Sequence, residues 1–106
     1  MKRDITFKRD CLIVKILNEH RGRANVISSK QIAKELGKAG CPTNDFTLRT
    51  AIKRIRKERC MPVCYDNAKG YYMPNCKADI ESVIADLESR INELREHAEF
   101  LKGFIF

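Results

Sequence analysis

Apolar residues recur along this chain with two periods, about three and a half residues and two, and the switches between them mark its elements. Cys11, Leu12, Ile13, Ile16 and Leu17 form a first stripe and predict a helix over 8–20, ended by Arg21-Gly22-Arg23. Asn25-Val26-Ile27 is short and β-branched and predicts a small strand beside a later hairpin. Ser28, with Gln31 three residues on, reads as a capping box that opens a second helix. Its Ile32, Ala33 and Leu36 face inward, and Gly37 suits the left-handed stop position. After a loop over 38–42, Thr43 or Asn44 caps a third helix over 44–59. Leu48, Ala51, Ile52 and Ile55 mark its buried side. Pro62-Val63-Cys64-Tyr65 and Gly70-Tyr71-Tyr72-Met73 then predict a hairpin, closed by Asp66-Asn67-Ala68-Lys69-Gly70 and followed by Pro74. Tyr71 and Tyr72 alternate faces, so one is expected in the core and the other outside.

A different pattern fills the C-terminal quarter. Ile80, Ile84, Leu87, Ile91, Leu94, Ala98 and Leu101 are spaced alternately by four and three, with no Gly or Pro between them. They predict one helix over 78–102, roughly 38 Å long at about 1.5 Å per residue. A small body cannot bury so long and narrow a stripe, so a homodimer through this helix is expected. Glu81, Glu88, Arg95 and Lys102 follow successive stripe positions. Antiparallel pairing sets Glu88 toward Arg95 and Glu81 toward Lys102, whereas parallel pairing sets Arg90 toward Arg95. The antiparallel arrangement is preferred, although flanking charges contribute little. The apolar tail Phe104-Ile105-Phe106 is expected to pack on something. The fold class is therefore mainly α with a small β-hairpin, in two parts: 1–75 and 76–106.

Composition changes the picture through charge. The chain has 106 residues, 43% hydrophobic and 33% charged, enough apolar content for a core and too mixed in sign for wholesale disorder. Net charge is +7. Residues 1–76 hold 17 Lys/Arg against seven Asp/Glu, whereas 77–106 hold four against seven. A basic body with a mildly acidic tail assigns different work to the two parts. The third helix concentrates the charge. Thr50, Lys53, Arg54 and Lys57 lie opposite its buried side, Arg49 and Arg56 lie on a flank, and Phe46 points outward. Such a surface suits a polyanion, because Lys and Arg release condensed counterions when they meet phosphate.

The order helix, basic helix and hairpin resembles the winged helix-turn-helix superfamily, in the style of the biotin-repressor DNA-binding domain and small phage or bacterial regulators. The resemblance covers residues 8–74. It is carried by Ile27-Ser28-Ser29-Lys30-Gln31-Ile32-Ala33-Lys34-Glu35-Leu36-Gly37, by Thr47-Leu48-Arg49-Thr50-Ala51-Ile52-Lys53-Arg54-Ile55-Arg56-Lys57, and by Pro62-Val63 with Gly70-Tyr71-Tyr72. It implies a third helix in the major groove of double-stranded DNA and a wing on the adjacent backbone. Arg49, Thr50, Lys53, Asn44 and Phe46 are then the candidates for base edges. Phe46 has a competing role as a staple under the preceding loop. Arg54, Lys57, Lys30 and Lys34 are the candidates for phosphates, and Lys69 at the wing tip for phosphate or minor groove. Tyr71 is placed with the DNA-binding set. The expected function is a small sequence-specific transcriptional regulator. The alternative is a winged-helix adaptor that docks an acidic protein surface, and single-stranded RNA is a lesser third reading.

The remaining residues narrow the choice by what they lack. Five cysteines are an odd number in no secreted framework. Cys41, Cys60, Cys64 and Cys76 are a conceivable zinc set, but they do not form two tight pairs, so free buried thiols are the preferred reading. His20 and His97 stand alone, and no nucleophile motif or Gly-rich phosphate loop is present. No enzyme, cofactor or small-molecule substrate is expected. Met1-Lys2-Arg3-Asp4 leads into no apolar run, and no stretch is long enough to span a membrane, so the expected location is cytoplasmic.

Overall fold

A computed structural model describes residues 2–66 and 69–105, with side chains from Ile5 onward. In chain order it contains α1 (Lys2–Asn18), a single 3-10 turn (Arg23–Asn25), α2 (Ser29–Lys38), α3 (Asp45–Glu58), β1 (Cys64–Asp66), β2 (Gly70–Tyr72) and α4 (Lys77–Lys102). The described residues are mainly helical, with one small hairpin and a long C-terminal helix. No helix among them is long and apolar enough to cross a membrane.

Caps set the helix boundaries. Ser28 Oγ accepts from the Gln31 amide at 3.2 Å and opens α2. Asn44, not Thr43, caps α3: its Oδ1 accepts from the Thr47 amide at 2.8 Å. The Thr43 hydroxyl instead donates to the Cys41 carbonyl at 2.8 Å and accepts from Arg9 Nε at 3.0 Å, tying the loop to α1. Gly37 does not stop α2. The helix runs on to Lys38, and Gly40, at φ +81°, supplies the left-handed residue. α1 starts well before residue 8. Its first turns carry no buried stripe, which is why periodicity misses them, and they leave Ile5 and Phe7 exposed.

α1, α2 and α3 pack on one another, and β2 rests on α1. Ile13 and Leu17 meet Ile32 and Leu36 of α2 and the four inward residues of α3, with Ile27, Tyr71 and Met73 at the edge. Each fully buried side chain of this size contributes about 1.5–3 kcal/mol. β1 and β2 are antiparallel, with Cys64 opposite Tyr72 and Tyr65 opposite Tyr71. The predicted strand at 25–27 shrinks to Ile27, which exchanges both backbone hydrogen bonds with Tyr71 at 2.8 Å. β2 thus lies between Ile27 and β1. Asn67 and Ala68 of the predicted turn fall outside the described residues.

α4 begins beside the hairpin. The Asn75 amide donates to Asp79 Oδ2 at 2.8 Å across its first turn. Arg23 joins three segments, with Nε 3.1 Å from Asp66 Oδ2 and Nη1 3.3 Å from Ser82 Oγ. Beyond Val83 every described residue of α4 is exposed, so the helix projects from the body.

Candidate functional site

α3 presents four sides to four surroundings. Its buried side is anchored by Leu48, Ala51, Ile52 and Ile55. On one flank, Arg54 turns back to α1: its Nε donates to Asp10 Oδ2 at 2.9 Å and its Nη2 to Oδ1 at 2.7 Å. Asp10 is itself buried. The hydrogen bonds to Asp10 raise the guanidinium pKa further, against an opposing effect of burial. The open side carries Phe46, Thr50, Lys53 and Lys57, all exposed. This fixed orientation follows from the sequence, since apolar residues at helical spacing pin the rod and leave the opposite stripe to solvent.

Several expected roles change on this frame. Arg54 is bound two-pronged to Asp10 and is not presented for phosphate. The reason is an acidic residue on the same face of α1 as Ile13 and Leu17, a signal visible in the sequence beside the first apolar stripe. Tyr71 is only 6% exposed and Tyr72 only 1%, so the expectation of one outward ring fails and Tyr71 is not presented for DNA. Tyr71 belongs to the core and stacks at a tilt on Tyr65, centroids 4.9 Å apart. Tyr72 and Cys64 lie against the start of α4, where burial, with Asp79 nearby, pushes both of their pKa values up. Burial likewise raises that of Tyr71. The second cover is α4, which a hairpin pattern alone does not reveal.

Other predicted residues are partly engaged. Phe46 is 74% exposed, so it staples nothing beneath the loop. Thr50 Oγ1 donates to the Phe46 carbonyl at 3.0 Å, and Asn44 uses its carbonyl oxygen as the cap. Arg49 pairs with Asp45 one turn away at 3.2 Å, both well exposed, which holds the side chain only weakly. Lys53 and Lys57 have no side-chain partner among the described residues. Lys30 and Lys34 are exposed one turn apart, opposite the buried Ile32 and Leu36 of α2. Lys69 is exposed beside β2, at the hairpin turn.

The other flank of α3 borders a cleft of about 510 Å³. Arg49 and Arg56 come from α3, Tyr65 and Tyr71 from the hairpin, and Leu87 and Arg90 from α4. Arg56 Nε donates to the Val63 carbonyl at 3.0 Å, so its guanidinium is fixed at the rim. The cleft escapes sequence reasoning because its walls are distant in the chain and meet only when α4 lies along β1.

The thiols are not all buried: Cys41 and Cys64 are, Cys60 and Cys76 are exposed, and all five are free. No group of three or more His, Cys, Asp or Glu among the described residues is placed to hold a metal. The seven-residue stripe of α4 lies open, its large side chains 38–68% exposed. Phe104 packs edge-on against Phe100, centroids 5.2 Å apart, and both remain exposed, as does Ile105. The tail therefore finds no cover on its own body; Phe106 lies outside the described residues. Comparison with protein-family models, curated proteins and solved structures gives no match.

Proposed function

We propose that this chain is a winged-helix protein that binds double-stranded DNA and regulates transcription in the cytoplasm as a homodimer joined through α4. The observation that carries the reading is the open side of α3, where Lys53 and Lys57 stand beside Thr50 and Phe46 on a helix pinned by four buried residues. The major groove, about 12 Å wide, admits a helix with such a face. The order of elements supports the same reading: helix, Ile27 as a short strand, two helices, then a hairpin whose inner strand pairs with Ile27. In this arrangement the hairpin is the wing and Lys69 reaches the flanking backbone. Lys30 and Lys34 add phosphate contacts. Arg49 completes the base-reading set, since an i,i+4 ion pair at the surface yields readily to guanine.

Titration of a labelled mixed-sequence duplex tests this. Lys53→Glu with Lys57→Glu weakens binding roughly 100-fold at low salt, because two attractive charges become repulsive toward phosphate. Helicity and melting temperature stay unchanged, since both side chains are exposed and have no side-chain partner among the described residues. Equal affinity of variant and parent overturns the reading.

A further inference from the structure

We propose that the cleft between α3, the hairpin and α4 is a docking site for a second copy of this chain, filled by the partner's Phe100 and Phe104 rings in an antiparallel α4 pair. This rests on the dimer reading above and adds the residues that complete it. Three observations meet in it: an open heptad stripe, an exposed aromatic pair, and an aromatic-floored cleft beside the same helix.

Register follows from the heptad. With Ile84, Ile91 and Ala98 at a and Ile80, Leu87, Leu94 and Leu101 at d, antiparallel layers set Ile84 against Leu101 of the partner and Leu87 against Ala98. Val83 and Arg90 are then g positions, on the side of α4 that lines the cleft. In antiparallel pairs g faces g, so Val83 comes opposite the partner's Phe104 and Arg90 opposite its His97. The partner's Phe100 lies one turn back, over Leu87. The floor that the rings meet is Tyr65, Tyr71 and Val63, and the rim is Arg56 and Arg90. Apolar rings against tilted tyrosines, with guanidinium groups at the edge, is a favourable combination. Within one chain Val83 and Phe104 are about 32 Å apart at 1.5 Å per residue, so no chain fills its own cleft. In a parallel pair the partner's rings lie at the far end of the helix, away from the cleft, and leave it empty.

Sedimentation equilibrium on the full chain, with circular dichroism and melting temperature as fold controls, tests the docking. The parent dimerises at micromolar concentration. Phe100→Ala with Phe104→Ala raises the dimer Kd at least about 100-fold, because two rings leave each of the two clefts. Tyr65→Ala, on the body and off the heptad stripe, raises it about 10-fold. Combining all three costs little beyond the phenylalanine pair, because the same contact is removed twice. Arg90→Ala, fully on the surface, weakens the dimer too and serves if Tyr65→Ala lowers the melting temperature. If the parent is a dimer and neither the ring nor the cleft substitutions change its Kd, the docking is wrong and the α4 dimer stands. A parent that stays monomeric at high concentration overturns the dimer reading and the docking together. Independent, additive effects of the Tyr65 and phenylalanine changes also overturn the docking.

Discussion

Gly70 shows how one residue holds the hairpin in place. At φ +131° it sits in backbone space that side chains avoid, and a Cβ there would lie 2.2 Å from the Ile27 carbonyl oxygen. That carbonyl accepts the Tyr71 amide, so it cannot retreat without breaking the bridge that joins the N-terminal half of the body to the hairpin. Gly70→Ala is expected to destabilise the chain by at least about 2 kcal/mol in urea unfolding. A change within 0.5 kcal/mol, the range of ordinary surface substitutions, would refute this account of the bridge. Asp10 and Arg54 make the complementary point about charge. Removing either leaves the other poorly solvated, so Asp10→Leu or Arg54→Met alone costs about 2 kcal/mol, discounted for the partly exposed guanidinium. The double substitution recovers most of it, because the pair is replaced by apolar packing. Additive losses would show that the two do not act as a pair. The Glu reversal for DNA work is accordingly made at Lys53 and Lys57 and not at Arg54.

At the scale of elements, α2, α3 and α4 were legible because each carries a single apolar stripe at helical spacing; Ser28 announced the cap of α2, whereas that of α3 was narrowed only to Thr43 or Asn44. The hairpin was legible as an element and misread as a surface. Its strands suggest one wet face, yet Tyr71 goes to the helical core and Tyr72 to the start of α4. The contact with α4 is long-range, and alternation within six strand residues carries no trace of it. The same distance in sequence hid the cleft, whereas the Asp10–Arg54 pair left a signal in the place of Asp10 on the apolar stripe of α1. Burial of the hairpin has a consequence for pH. Cys64, whose ordinary pKa is 9.0, and Tyr71 and Tyr72, ordinarily 10.0, are all raised in the folded chain, chiefly by burial. Above about pH 9 the native state therefore holds protons that the unfolded chain has released, and stability falls as pH rises. Below that pH these groups leave stability flat. Urea midpoints near pH 8 and near pH 10.5 measure the drop, and Tyr72→Phe lessens it. A variant with the same alkaline slope as the parent would contradict the assignment to this residue.

The whole molecule is a basic body carrying an acidic, projecting helix. α4 with its flanks holds four Lys/Arg against seven Asp/Glu, so on the proposed reading it is repelled by the DNA that the basic body binds. In a dimer joined through α4, two α3 helices are held at a fixed separation, which is the geometric requirement for reading two half-sites. The adaptor alternative uses the same open side of α3 but needs no counterion release from DNA. That difference makes salt the discriminating variable. Fluorescence anisotropy of the full chain on a labelled duplex, repeated across salt concentrations, tests the central claim most directly. The account predicts that log affinity falls linearly with log salt, losing about 0.9 in slope for each phosphate neutralised. It also predicts that the Lys53→Glu, Lys57→Glu variant shows a slope shallower by about four, because the bound dimer carries two copies of each lysine. Absence of duplex binding at low salt, or an identical slope in parent and variant, would contradict it.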